Sequence, residues 1–293
     1  MPILTSATAR VEIAAQGAEL TSFTSLATGL EYIWQADPAY WGRHAPLLFP
    51  IVGRLPDDTY LYHGQVYKLP QHGFARDQEF QLIQHDATSL TFQLVHDVAT
   101  LSVYPFEFEL RVRYELRGST LQVSWRVRNP TAKQDLLFSI GAHPAFRCPL
   151  QPEAGEQFED YAFRFDHPVT LKRQLLRSGL RSGEAATVPT EHDILLLSYD
   201  LFADDALVFE HFDFTRLTLG RINGTGPWVR VQFDGFPYLG LWTKGPGAGF
   251  VCIEPWQGVA SPTGPPQELR DKEGILMLKP GGVFEAGYTI EVG

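Results

Sequence analysis

Cysteine is nearly absent from this chain: Cys148 and Cys252 are the only two among 293 residues. That is too few for a disulfide framework, and their spacing is not that of a zinc site. Both read as reduced, structural residues. Long runs of one character are missing too. No stretch of about 18 apolar residues occurs, so no membrane-spanning helix is expected. The start, Met1-Pro2-Ile3-Leu4-Thr5, has no basic segment followed by an apolar one,. The expected location is the cytoplasm, with no membrane partner. Lysine and arginine never cluster, and 24 of them against 34 acidic residues leave a formal charge of -10. That balance disfavours nucleic acid or an anionic surface as the partner and favours a small neutral or locally steered molecule. There is no Gly/Ser-rich linker, low-complexity tract or internal repeat.

What the chain does have is alternation. Phe106 to Leu116 and Leu121 to Arg128 are apolar at every second position, and Arg117-Gly118-Ser119-Thr120 between them predicts a long antiparallel hairpin,. Weaker alternation recurs at Val11 to Ile13, Leu90 to Val95, Tyr161 to Phe165, Leu217 to Leu219, Val229 to Phe233, Tyr238 to Trp242 and Tyr288 to Val292. Punctuated by 26 Gly and 21 Pro, this predicts an all-β fold, a large two-sheet sandwich of antiparallel strands with few short helices. The helical candidates are a turn near Pro38 to Trp41 and a segment near Pro266 to Lys272. A hydrophobic content of 44% allows a large core, and residues 1–293 are expected to form a single unit,. The stretch Gln151 to Gln157 reads as a loop rather than a boundary.

Three islands carry the chemistry: Gln71-His72-Gly73-Phe74-Ala75-Arg76, Gly141-Ala142-His143-Pro144-Ala145-Phe146 and Val251-Cys252-Ile253-Glu254-Pro255-Trp256-Gln257-Gly258. Two histidines and one carboxylate, if the fold brings them together, suit proton transfer on a small neutral molecule. His72 precedes a glycine, as where a loop closely approaches another backbone or a ligand. His143 precedes a proline, which holds it extended at a strand end. The competing reading for each is a hydrogen-bonded structural histidine at a sheet rim. Glu254 follows Phe250-Val251-Cys252-Ile253 and precedes Pro-Trp, so it points to a partly buried place where desolvation raises a carboxyl pKa. The alternative is an edge-strand glutamate in a salt bridge. His85, His96, His167, His192 and His211 stand in polar, turn-like surroundings and read as surface residues. Arg54 and Arg76 offer fork-like donors to sugar hydroxyls or a phosphate, or else pair with surface carboxylates. Trp256 offers a flat apolar face to a sugar ring, or serves as packing.

Together with Arg43-His44-Ala45-Pro46-Leu47-Leu48-Phe49-Pro50-Ile51-Val52-Gly53-Arg54-Leu55, these islands resemble the aldose 1-epimerase (galactose mutarotase-like) superfamily, in particular its LacX-like branch. The resemblance runs from about Gly17 to the final strand. It implies a galactose mutarotase-like β-supersandwich with a sugar site on the concave face of one sheet. It makes Glu254 the base at the anomeric hydroxyl and His143 the acid at the ring oxygen, with His72, Arg54 and Arg76 binding the sugar. Ring opening and reclosure involve no redox change, so no cofactor or metal is expected, and a histidine acid with an ionised Glu254 suits the chemistry. The partner is then a small-molecule sugar, and a homodimer is compatible with the sequence.

The chain departs from the family in one place. A Gly-Leu-Asp-His-Pro-Phe-like segment, whose aspartate binds a sugar hydroxyl, is not found; Asp205 is the nearest candidate and Asp204 the next. Galactose preference does not follow, and a hexose phosphate held by Arg43 and Arg76 stays open. Other function classes are a non-catalytic carbohydrate-binding protein of this fold, a metal enzyme using His72, His143 and Glu254, and a glycosidase. The last needs a second carboxylate about 5 to 10 Å from Glu254, for which Asp205 is the loose candidate.

Overall fold

The computed structural model describes the whole chain, Met1–Gly293. Strands form at each alternating stretch. Glu109–Arg117 and Thr120–Arg128 pair in register across a turn at Gly118-Ser119, where Gly118 takes φ +57°. Leu110, Val112, Tyr114 and Leu116 are buried on one face, while Arg111 and Arg113 stay partly solvated on the other. A one-residue slip would exchange these faces, so burial fixes the register.

This hairpin belongs to a nine-stranded antiparallel sheet. From one edge its strands are Ile194–Leu196, Tyr161–Phe165, Arg216–Arg221, Val229–Gln232 and Val283–Val292. Past the hairpin come Ser89–Val95 and Gln81–His85 at the far edge. A second, eight-stranded sheet runs Leu180–Val188, Leu171–Arg177, Leu207–Glu210, Tyr238–Trp242, Phe250–Trp256, Gly141–Ala142, Leu47–Leu48, and Ala145–Arg147 also pairs with Phe250–Trp256. Side chains of both sheets meet in one apolar cluster of 68 buried residues. The two sheets therefore stabilise each other and neither stands free.

The strand Phe250–Trp256 is the exception to alternation: all seven of its residues are buried. Val251 and Ile253 enter the main cluster, whereas Phe250, Cys252, Glu254 and Trp256 point to the sheet's other face. There Phe250 and Cys252 join a small cluster with Trp34, Trp41 and Trp242 packed against it. The strand is central, with neighbours on both sides.

Helix is scarce. The one α-helix, Val98–Val103, is absent from the sequence reading, although Asp97 and Thr100 make a capping box: Asp97 Oδ1 accepts from the Thr100 amide at 2.7 Å,. The expected segment near Pro266 to Lys272 holds a single 3-10 turn, Leu269–Asp271. Residues 38–40 form a turn, and the Gln151 to Gln157 loop contains the short turn Pro152–Ala154. No helix is long and apolar enough to cross a membrane. His85, His192 and His211 are exposed, while His96 and His167 are half-buried.

An aromatic knot joins the core to the His72 loop. Phe49 meets Phe108 with ring centroids 5.1 Å apart and Phe74 at 6.4 Å, and Tyr104 lies 6.2 Å from Phe108. Gly73 is required here: at φ +71°, a Cβ would stand 2.3 Å from the Phe49 carbonyl oxygen,. Phe108→Ala is expected to cost about 3–5 kcal/mol of stability, as for other buried phenylalanines. An unchanged urea unfolding midpoint would show that the knot is not supporting the loop.

Candidate active site

On the face of the eight-stranded sheet turned away from the main core lies a cavity of about 430 Å³. Its lining includes Arg54, His72, Arg76, His143, Asp205 and Glu254. Residues from Trp41 to Ala260 contribute, so the site exists only in the assembled fold.

Register creates its centre. Gly141 pairs with Trp256 and Ala145 with Cys252, which places His143, in the two-residue break between those strand pieces, directly opposite Glu254. Pro144 has no amide to give the ladder, though its carbonyl still accepts from the Ile253 amide at 3.2 Å. His143 Nε2 and Glu254 Oε2 stand 3.2 Å apart. Alignment, however, does not complete a hydrogen bond: Glu254 Oε2 and His143 Nδ1 are both buried without a partner. On Glu254's other side the register partner is Gly240. A Cβ on Gly240 would lie 2.5 Å from the Trp256 ring, and one on Gly141 would lie 2.6 Å from it. Two missing side chains thus seat the indole flat beside the carboxyl, with Nε1 donating to the Ala142 carbonyl at 3.2 Å. Glu254 is therefore not an edge-strand residue in a surface salt bridge.

Burial sets the charges. Glu254 is 1% exposed and His143 8%. Desolvation, with the negative charge of Asp205 adding to it, raises the Glu254 pKa well above 4.5,. Burial, helped by the cations Arg76 and Arg43, pushes His143 down to about 3. Burial thus works against the ionised Glu254 that the resemblance implies, and it keeps the facing imidazole neutral. Trp41 stacks on His143 with centroids 4.8 Å apart, and Trp242 stands edge-on at 5.7 Å. These rings pack against the imidazole and fix its plane.

His72 plays a different chemical part. Its Nδ1 accepts from the Gly53 amide at 3.1 Å. Burial and the nearby His143 hold its pKa well below 6.5, so the ring is neutral and its proton sits on Nε2,. The side-chain amide of Gln71 lies 3.3 Å from that nitrogen, and its oxygen is the end able to accept from it,. His72 can thus donate a hydrogen bond to a ligand oxygen but is poorly placed as a metal ligand. Arg76 donates to the Gln71 carbonyl at 2.6 Å, keeps its buried Nε unpartnered, and is pushed down to about 10 by burial beside Arg43. Arg54 stands at the rim, 3.2 Å from Asp58.

Asp205 lines the cavity at φ +89°. Asp204 instead pairs with Arg173 at 3.1 Å and does not line it. Arg43 is held by Asp77 at 2.8 Å and also lies outside the lining. Sequence reading missed Trp41, Trp242, Gln71 and the exposed Lys244, all of which line the cavity. Only Gln71 had a signal, as a member of the first island; the others lie in no pattern that spacing reveals.

The family model described as aldose 1-epimerase matches residues 3–273 of the chain. Protein LacX, chromosomal, of Lactococcus lactis subsp. lactis is 34% identical over 290 residues, 96% of either chain. A solved galactose mutarotase related enzyme from Lactobacillus acidophilus superposes with a TM-score of 0.93 at 38% identity, covering 99% of this chain and 96% of that one. A galactose mutarotase-like protein from Lactobacillus casei gives 0.92 at 29% identity, with both chains covered in full.

The raised Glu254 pKa has a consequence for stability. Above about pH 4.5 the unfolded chain releases a proton that the folded chain holds, so burying this residue costs stability as pH rises; below that value the cost vanishes,. Glu254→Gln is therefore expected to have a higher urea midpoint than wild type near neutral pH and an equal one in acid. A less stable variant at neutral pH would mean that the carboxylate is ionised and stabilising.

Proposed function

The chain belongs to the aldose 1-epimerase family, and from that premise we propose that it interconverts the α and β anomers of an aldohexose or hexose phosphate, with Glu254 and His143 as the proton-transfer pair. The observation that carries this reading is their separation of 3.2 Å on the cavity wall. The two oxygens that exchange protons, the anomeric hydroxyl and the ring oxygen, are both bonded to C1. An acid and a base serving them must stand side by side, as these two do.

In the forward step Glu254 takes the proton of the C1 hydroxyl while His143 delivers one to the ring oxygen. The C1–O5 bond breaks to leave a C1 carbonyl and a C5 hydroxyl. Rotation about C1–C2 presents the other carbonyl face, and reclosure returns both protons. The pair enters and leaves with one proton in total. Protonated Glu254 with neutral His143 holds the same count as ionised Glu254 with imidazolium, so binding need only move a proton between neighbours. A sugar hydroxyl donating to Glu254 favours that move, because it solvates the carboxylate that burial disfavours,. His72 Nε2–H and Arg76 are donors to the sugar's remaining oxygens, Asp205 is an acceptor, and the Trp256 face suits the C–H side of the ring.

Each proton-transfer group is worth about 10²- to 10⁴-fold. Glu254→Gln and His143→Asn are each expected to lose that much rate with sugar binding largely retained. The measurement is polarimetry on fresh α-glucose and α-galactose, with a coupled anomer assay on glucose 6-phosphate. A Glu254→Gln variant of wild-type rate removes the assigned base. Binding without acceleration on any sugar makes the protein a carbohydrate-binding one.

The pH profile is a second check. Because burial displaces His143 to about 3 and raises Glu254, kcat is expected to show no inflection near 6.5. It should fall only when the pair gains a second proton in acid or loses its one in base. An inflection near 6.5 would show that His143 titrates as a solvated imidazole.

A further inference from the structure

Cys252 has no part in the anomer reaction, yet its position beside the pair has a chemical consequence. It precedes Glu254 by two residues on the same strand face, and the register sets it against Ala145 on one side and Trp242 on the other. Its sulfur, one ring nitrogen of His143 and a Glu254 oxygen all lie within 4.8 Å of one another. Two of these side chains hold buried atoms without a partner, Glu254 Oε2 and His143 Nδ1. The second thiol, Cys148, belongs to the main cluster, away from this group.

We infer that Cys252, His143 and Glu254 form an inhibitory site for a thiophilic divalent cation of the zinc type, which binds across the proton-transfer pair. A sulfur, a nitrogen and an oxygen are the mixed donor set that suits zinc and its neighbours and ill suits magnesium or calcium. In a tetrahedral site the donors stand about 3.5 Å apart, so the present separations need to close by little more than about 1 Å. Three protein ligands leave a fourth position open; of the three, His143 and Glu254 line the cavity, while Cys252 lies buried behind them. His143 is already in the neutral form that metals bind. Cys252, held protonated by its apolar surroundings, releases its proton as the metal–sulfur bond forms.

The inhibitory effect rests on the proton-transfer roles proposed above, whereas the metal site itself does not. Two readouts keep them separate. In the anomer assay, micromolar free Zn²⁺ is expected to slow wild type at least tenfold, EDTA to restore it, and Mg²⁺ to do nothing. Cys252→Ala and Cys252→Ser should keep the basal rate and need at least tenfold more Zn²⁺ for half inhibition, while Cys148→Ala behaves as wild type. Independently of activity, Co²⁺ should give a thiolate-to-metal charge-transfer band with wild type that is lost in Cys252→Ser. Absence of that band in wild type, its persistence in Cys252→Ser, or equal Zn²⁺ sensitivity of the Cys252 variants would each overturn the site. If the protein proves to have no epimerase activity, the cobalt band still decides the question.

Discussion

A carboxyl group without a hydrogen-bond partner on one oxygen, placed in a strand whose every residue is buried, is the constraint around which this molecule is arranged. Burial there works against an isolated carboxylate,. The fold surrounds that carboxyl with uncharged groups: a neutral imidazole, an indole lying flat, and the missing side chain of Gly240. The same burial strengthens any hydrogen bond that a ligand brings to these groups,. The cost of the site and its chemical competence have one cause, the burial of Glu254 and His143 in the cavity wall.

The scaffold that tolerates this cost is built of long-range pairings. Two sheets share one apolar core, and the central strand of the second is locked by register on both sides. The cavity wall formed by the His72 loop is less regular: backbone hydrogen bonds tie it to Phe49 and Gly53, and the aromatic knot around Phe49 packs behind them. His72 adopts φ +69° and Gly73 φ +71° because the loop must touch the Phe49 backbone. Loop hydrogen bonds and aromatic packing together hold the donor side of the cavity, and strand register holds the acid/base side.

Much of this could be read in the sequence, for identifiable reasons. Period-two alternation at Glu109–Arg117 reports one wet face and one dry face, so those strands were plain. Glu254 stood out because a single charge interrupts an apolar run, and Gly73 because it follows a histidine after Leu69-Pro70. The opposition of His143 and Glu254 was not legible from spacing: they are far apart in the chain, and only strand register makes them neighbours. Trp41 and Trp242 escaped notice since an aromatic beside a site looks like any core aromatic. The full burial of Glu254 was not legible because burial on both faces of a strand cannot be told from burial on one. The helix Val98–Val103 was missed because one and a half turns carry too little periodicity, despite the Asp97 cap.

The position of Phe250–Trp256 in its sheet sets an order of events in time. It is the seam between Tyr238–Trp242 and the pieces Gly141–Ala142 and Ala145–Arg147, and it is synthesised after all of them. Until it emerges, the sheet is two unjoined halves, and His143 has no Glu254 to face. Its insertion joins the halves and brings Glu254 opposite His143. Such late, non-local pairing slows folding, but it ties the two outcomes together: a growing chain has no partly active form, and a chain that completes this sheet completes its chemistry with it.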